Sequence, residues 1–181
     1  MKERKRAFSN VRVLTASAML TALSIVIGIF CKNLLNFGFG LFRITFENFP
    51  IILSGIMFGP IVGSCVGIVA DVLSYILSTQ TLAISPLVTL GAASVGCVSG
   101  LVSHYFIKQD GAKRIIFSAT AAHLVGSVII KSIGLYFYYG FLVAWRIPLY
   151  ALIATLEITI ICLMNKNKNF HALINYKGDI K

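Results

Sequence analysis

Apolar residues gather along this chain in six runs, at approximately 11–31, 46–58, 60–78, 86–107, 113–139 and 142–164. A helix rises ~1.5 Å per residue, so about 20 residues are needed to cross a hydrocarbon core of ~30 Å. Five runs reach or nearly reach that length and predict transmembrane helices. The second is the exception: about 13 residues give only ~20 Å. By length alone it reads as a re-entrant turn as readily as a crossing.

The stretch before that run has a different rhythm. In "GLFRITFENFP", Gly40 to Pro50, the residues Phe39, Leu41, Arg43 and Thr45 alternate with Gly40, Phe42, Ile44 and Phe46. A period of two belongs to extended chain. It predicts an extended or hairpin-like loop between helices 1 and 2. Glu47 and Asn48 then read as helix-start residues, because an acid suits the positive end of the helix dipole and Pro50 fits a first turn.

Charge decides what the short run does. Twelve of the sixteen basic residues lie in three places. These are the N-terminal segment (Lys2, Arg4, Lys5, Arg6, Arg12), the loop "KQDGAKR" (Lys108, Lys113, Arg114) and the C-terminal tail (Lys166, Lys168, Lys177, Lys181). Basic loops stay in the cytoplasm, and two cytoplasmic termini require an even number of crossings. The short run is therefore expected to cross. The result is an all-α membrane protein with six transmembrane helices, both termini cytoplasmic, forming one domain over 1–181. The outer face then consists of 32–45, 78–86 and 138–146.

Composition agrees. Only 12% of residues are charged and mean hydropathy is +0.87, against roughly 25% charged in soluble domains. The net charge of +10 sits at the ends of apolar runs, so it reads as an orientation signal and not as a nucleic-acid surface. A secretory leader is not expected, because Val13–Phe30 is itself long enough for a span and is followed by several further runs. Cys31, Cys65, Cys97 and Cys162 lack metal-ligand spacing and read as small apolar fillers. No metal or cofactor is expected. No phosphate-binding loop, zinc-protease helix or nucleophile elbow is present, so the chain is not expected to be an enzyme. Active uptake would need an energy-supplying partner.

Ionisable residues inside a membrane are costly and mark function by default. Asp71, Lys131 and Glu157 lie in the predicted spans, ~10, ~13 and ~16 Å from their outer ends. In one reading Lys131 pairs with Glu157 or Asp71 and fixes helix packing. In the other, Lys131 faces a cavity with Arg43 and Arg146 at its mouth, an arrangement for an anionic solute. His123 reads as a packed, hydrogen-bonded histidine. Aromatic residues near the outer face, Tyr75, Tyr136 and Trp145 among them, belong to an interfacial belt or stack on a flat ligand. On helix 1, Ala18 and Ala22 share a face, and small residues at that spacing admit another helix.

The order of these features resembles a known family. The basic N-terminus, Ala18-x-x-x-Ala22, "FRITFENFPIILSGIMFGPIVGSCVGIVADVLSYI", the outer Ser85–Pro86, "TLGAASVGCVSGL" and "KSIGLYFYYG…RIPLY" are similar to substrate-binding S components of energy-coupling factor (ECF) vitamin transporters, folate family. The likeness runs from about residue 12 to 164. It implies a six-helix subunit in a bacterial cell membrane that binds a vitamin in an outward cavity. It also implies docking, through the helix 1 alanines, on a transmembrane coupling protein carrying two cytoplasmic ATPases. Folate would offer a pterin ring to the aromatics and tail carboxylates to Arg43, Lys131 or Arg146. On this reading the substrate-binding residues are Arg43, Asp71, Tyr75, Ser85, Lys131, Tyr136, Trp145 and Arg146. Two alternatives remain beside it: an S component for another vitamin, and a stand-alone transporter or channel with Asp71, Lys131 and Glu157 as a proton relay.

Overall fold

The computed structural model describes residues 11–34, 36–37, 42–78, 86–107 and 111–167, with the backbone alone at 36, 37, 42, 43, 138, 139, 142 and 145. Helix α1 spans Val11–Leu34. Two-residue strands β1 (Asn36–Phe37) and β2 (Phe42–Arg43) pair antiparallel, with Asn36 opposite Arg43 and Phe37 opposite Phe42. Helices α2 (Asn48–Phe58) and α3 (Pro60–Leu77) follow. Helix α4 runs over Pro86–Leu101 and continues as a wider π turn over Val102–Phe106. Helix α5 has three consecutive parts, Ala112–Ala122, a π segment His123–Lys131, and Ser132–Tyr139. A 3-10 turn at Gly140–Trp145 leads into α6, Arg146–Asn165. Ser85 and most of the basic N- and C-terminal segments lie outside the described residues.

Five helices are long and apolar enough to cross a membrane, and α2 is the shorter sixth. At 11 residues, α2 is ~16 Å long. It survives because lipid does not surround it. It touches each of the other five helices, and Ile51, Ile52, Leu53 and Ile56 on it form the centre of the apolar core. Irregular or short backbone at membrane depth is tolerated where protein covers it.

The far end of α2 shows how its backbone is satisfied. The last carbonyls of a helix have no partner within it. The Ile56 carbonyl accepts from Arg114 Nη2 at 3.1 Å and meets His104 Nε2 at 3.1 Å. Arg114 Nε also donates to Ser103 Oγ at 2.6 Å. The sequence places Arg114 with the loop charges; the structure buries it in the first part of α5, where a cation suits the negative end of the α2 dipole. Gly59 then turns the chain. Its φ of +91° falls where glycine is least strained, and Pro60 opens α3 at a position where its missing N–H costs nothing.

α3 and α4 are held by backbone proximity. A Cβ on Gly63 would meet the Gly96 carbonyl at 2.5 Å, and one on Gly96 would overlap the Gly63 carbonyl. Gly67 lies equally close against Ala92. Small residues at this spacing bring helices together where no hydrophobic drive does so. The cysteines form no disulfide.

Candidate functional site

The polar residues of the core converge near the start of α2, the end of the bundle that carries the hairpin. Glu47 occupies the N-cap position of α2 but makes no side-chain capping bond. Its carboxylate turns instead to α5, where Lys131 Nζ lies 3.5 Å from Oε1. Lys131 also donates to Asn48 Oδ1 at 2.9 Å. Glu47 and Asn48 do stand at the start of α2, and their side chains in addition bridge α2 to α5. The physical reason is cost: a lysine 6% exposed in the core needs both an opposite charge and a hydrogen bond.

The network continues down α5. Asn48 Nδ2 donates to Ser127 Oγ at 3.4 Å, and Ser127 Oγ lies 3.5 Å from His123 Nδ1. His123 Nε2 lies 2.8 Å from Glu157 Oε2, on α6. His123, Ser127 and Lys131 are spaced four apart, and all three are buried. They occupy the π segment of α5, a wider turn that often marks functional positions. Lys131 and Glu157 thus take separate partners, so the pairing of Lys131 with Glu157 or Asp71 is replaced by Lys131 with Glu47 and Asn48. Asp71 accepts from Thr89 Oγ1 at 2.7 Å. Among the described residues, Lys131 and Glu157 are thus joined only through Asn48, Ser127 and His123, and Asp71, held by Thr89, stands apart from that chain.

A pocket lies beside this network, among α1, α2, α3 and α4. Its polar lining is Ser24, Glu47, Asp71 and Ser74; Ile51, Ala70 and Ala92 complete it. Its room is about 10 Å³, roughly that of one water molecule. Ser24 Oγ donates to the Glu47 carbonyl at 2.8 Å, which ties α1 to the start of α2. Ser74 Oγ is buried and makes no hydrogen bond among the described residues. Gly28 keeps α1 clear of this corner: a Cβ there would come 2.7 Å from Ser74 Oγ and 3.2 Å from Glu47 Oε2. Among the described residues no three His, Cys, Asp or Glu side chains gather as a metal site.

The model of the ECF transporter substrate-specific component matches residues 12–175. The chain belongs to this family. It is a multi-pass membrane protein and a substrate-binding component of a transporter, not an enzyme. Among solved structures, "Crystal structure of FolT bound with folic acid" is similar in fold, with a TM-score of 0.59. The likeness spans 89% of this chain and 93% of that one, at 22% identity. The curated proteins contain no match.

In this S component the candidates separate by position. Asp71 lines the pocket. Lys131 stands behind it, joined through Glu47. Arg146 is buried, with its guanidinium 5.5 Å from the Tyr150 ring, in range for a cation–π contact. Tyr75 is half-buried near the end of α3. Tyr136 is 59% exposed and is not brought to the pocket. Arg43 is placed by its backbone in β2, and Trp145 by its backbone in the 3-10 turn. Ala18 and Ala22 are both exposed on α1. Sequence reasoning missed Ser24, Gly28, Asn48, Ser74 and Ser127 as parts of the site. The four-residue spacing of His123, Ser127 and Lys131 is the one signal that could have found Ser127; the rest needed the helix packing.

Proposed function

We propose that this S component binds a folate-type vitamin in the hairpin half of the bundle and hands it to ATP-driven partners. Membership of the substrate-specific component family over residues 12–175 carries the reading. Folate is favoured by the fold shared with a protein whose structure holds folic acid. The hairpin faces outward and both termini face the cytoplasm, in keeping with the basic N- and C-terminal segments. The chain sits in a bacterial cell membrane. Arg43 and Arg146 are the candidates for the tail carboxylates, and Tyr75 and Trp145 for the ring. Ser85 contributes from the α3–α4 loop.

The partners are a transmembrane coupling protein and two cytoplasmic ATPases. They dock on α1 through Ala18 and Ala22, where small exposed side chains let a second helix approach. A thermal-shift screen of the purified chain against a panel of vitamins tests the ligand. Folic acid is expected to raise the melting temperature most. Stabilisation by a different vitamin moves the specificity, and no stabilisation by any vitamin defeats the reading.

A further inference from the structure

We infer that the cleft among α1–α4 binds one bare alkali-metal cation, Na⁺ or K⁺, through Asp71, Glu47, Ser24 and Ser74. Such a site goes beyond the vitamin reading and does not depend on it. Every polar group that lines the cleft offers oxygen: two carboxylates and two hydroxyls. Oxygen sets of this kind suit hard cations. The charges leave a place for one. Glu47 meets Lys131 through Oε1, whereas Asp71 accepts from the neutral Thr89 hydroxyl. No Lys, Arg or His among the described residues forms an ion pair with Asp71. A carboxylate at membrane depth without an opposite charge is costly, and one bound positive charge balances it.

Ser74 supplies a second, independent observation. It is 2% exposed, its hydroxyl makes no hydrogen bond among the described residues, and it lines the cleft. A buried oxygen left without a partner is costly, and a cation takes up its lone pairs. Ser74 and Glu47 converge on one spot. The point where a Cβ on Gly28 would lie is 2.7 Å from Ser74 Oγ and 3.2 Å from Glu47 Oε2. Ser24 Oγ donates to the Glu47 carbonyl at 2.8 Å, so its own lone pairs remain to accept. Room decides the kind of ion. About 10 Å³ holds one water-sized particle. Mg²⁺ keeps several waters, and Ca²⁺ takes ~6–8 oxygens, whereas Lys131 and Thr89 already engage one oxygen of each carboxylate. A neutral water fits the space but leaves the Asp71 charge unbalanced.

The test is thermal unfolding of the purified full chain in detergent, without vitamin, as choline chloride is replaced by NaCl or KCl at constant ionic strength. An ion that binds the folded state alone raises the melting temperature. Choline is too large for a water-sized space. Replacing about 300 mM choline by the fitting alkali ion is expected to raise the melting temperature by about 3 °C or more, and the two salts show which ion that is. Asp71→Asn removes the charge while keeping an acceptor for Thr89, and Ser74→Ala removes the unpaired hydroxyl. In each the rise is expected to shrink to within about 1 °C. Gly28→Ala, whose added carbon enters the same space, is expected to do likewise. Ser74→Ala carries the comparison should Asp71→Asn not fold. Equal melting temperatures of the unmodified chain in choline chloride, NaCl and KCl overturn the inference, and the cleft then holds a water only. A rise that persists in the variants overturns it as well, because the cation then acts elsewhere. No vitamin is present in any arm, so neither result touches the folate reading.

Discussion

Helices α1 and α5 are both long, apolar spans, yet they do opposite work. Only 11% of the apolar window of α1 is buried, against 44% for α5. α1 turns Met19, Leu23, Val26 and Phe30 outward and keeps Ser17, Ser24, Gly28 and Lys32 inward. α5 also buries its polar side, but there the side carries Arg114, His123, Ser127 and Lys131. In a bilayer the apolar face gains nothing by hiding, because lipid is as apolar as leucine. What packs inside is what is small enough to approach closely or polar enough to need a partner. The difference teaches that α5 organises the site, whereas α1 closes one wall and offers its outer face to other molecules.

The sharpest way to break this contrast is to remove charge from α5. Lys131→Ala leaves Glu47 without its cation in the core, and stability in detergent is expected to fall by about 3–5 kcal/mol, with ligand binding lost. The double variant Lys131→Met with Glu47→Gln is expected to recover most of the stability, because replacing both charges costs far less than stranding one. Melting curves of the three proteins check this. A single variant as stable as the unmodified chain would show that the bridge between α2 and α5 carries no weight.

Next in size is the packing between α3 and α4. Gly96→Val places side-chain atoms against the Gly63 backbone, which cannot yield as a flexible side chain would. A loss of about 1–3 kcal/mol is expected, again read by thermal unfolding. On α1 the effect should separate by assay. Ala18→Trp with Ala22→Trp alters an exposed face, so ligand affinity is expected to stay within about two-fold while cellular uptake is abolished. Normal uptake by cells carrying that pair rules out the docking assignment. The smallest effect is expected at Tyr136, exposed on α5. Tyr136→Phe should change stability by no more than about 0.5 kcal/mol and leave binding unchanged.

Much of the architecture could be read from residue order alone. The five long helices and the placing of Ala18 and Ala22 on one face follow from period and length, which are local properties, and the short sixth from the distribution of basic residues. The site was less legible because its contacts join distant segments. Glu47 and Asn48 carry every local mark of a helix start, and only the approach of α5 reveals that Lys131 claims both. Arg114 looks like one more loop cation until the short α2 is seen to end beside it, with the Ile56 carbonyl in need of a donor. Ser74 and Gly28 are unremarkable as letters. They matter because α1 passes close to α3, a fact of packing that no spacing within either helix encodes.

The central claim is that ligand recognition resides in this chain alone, with energy supplied elsewhere. Isothermal titration of the purified chain with folic acid, in detergent and without nucleotide or partner, tests it most directly. The account predicts saturable binding of one folic acid per chain. Absence of binding by the isolated chain, with uptake of folic acid into liposomes containing only this chain and driven by a pH gradient, would contradict it.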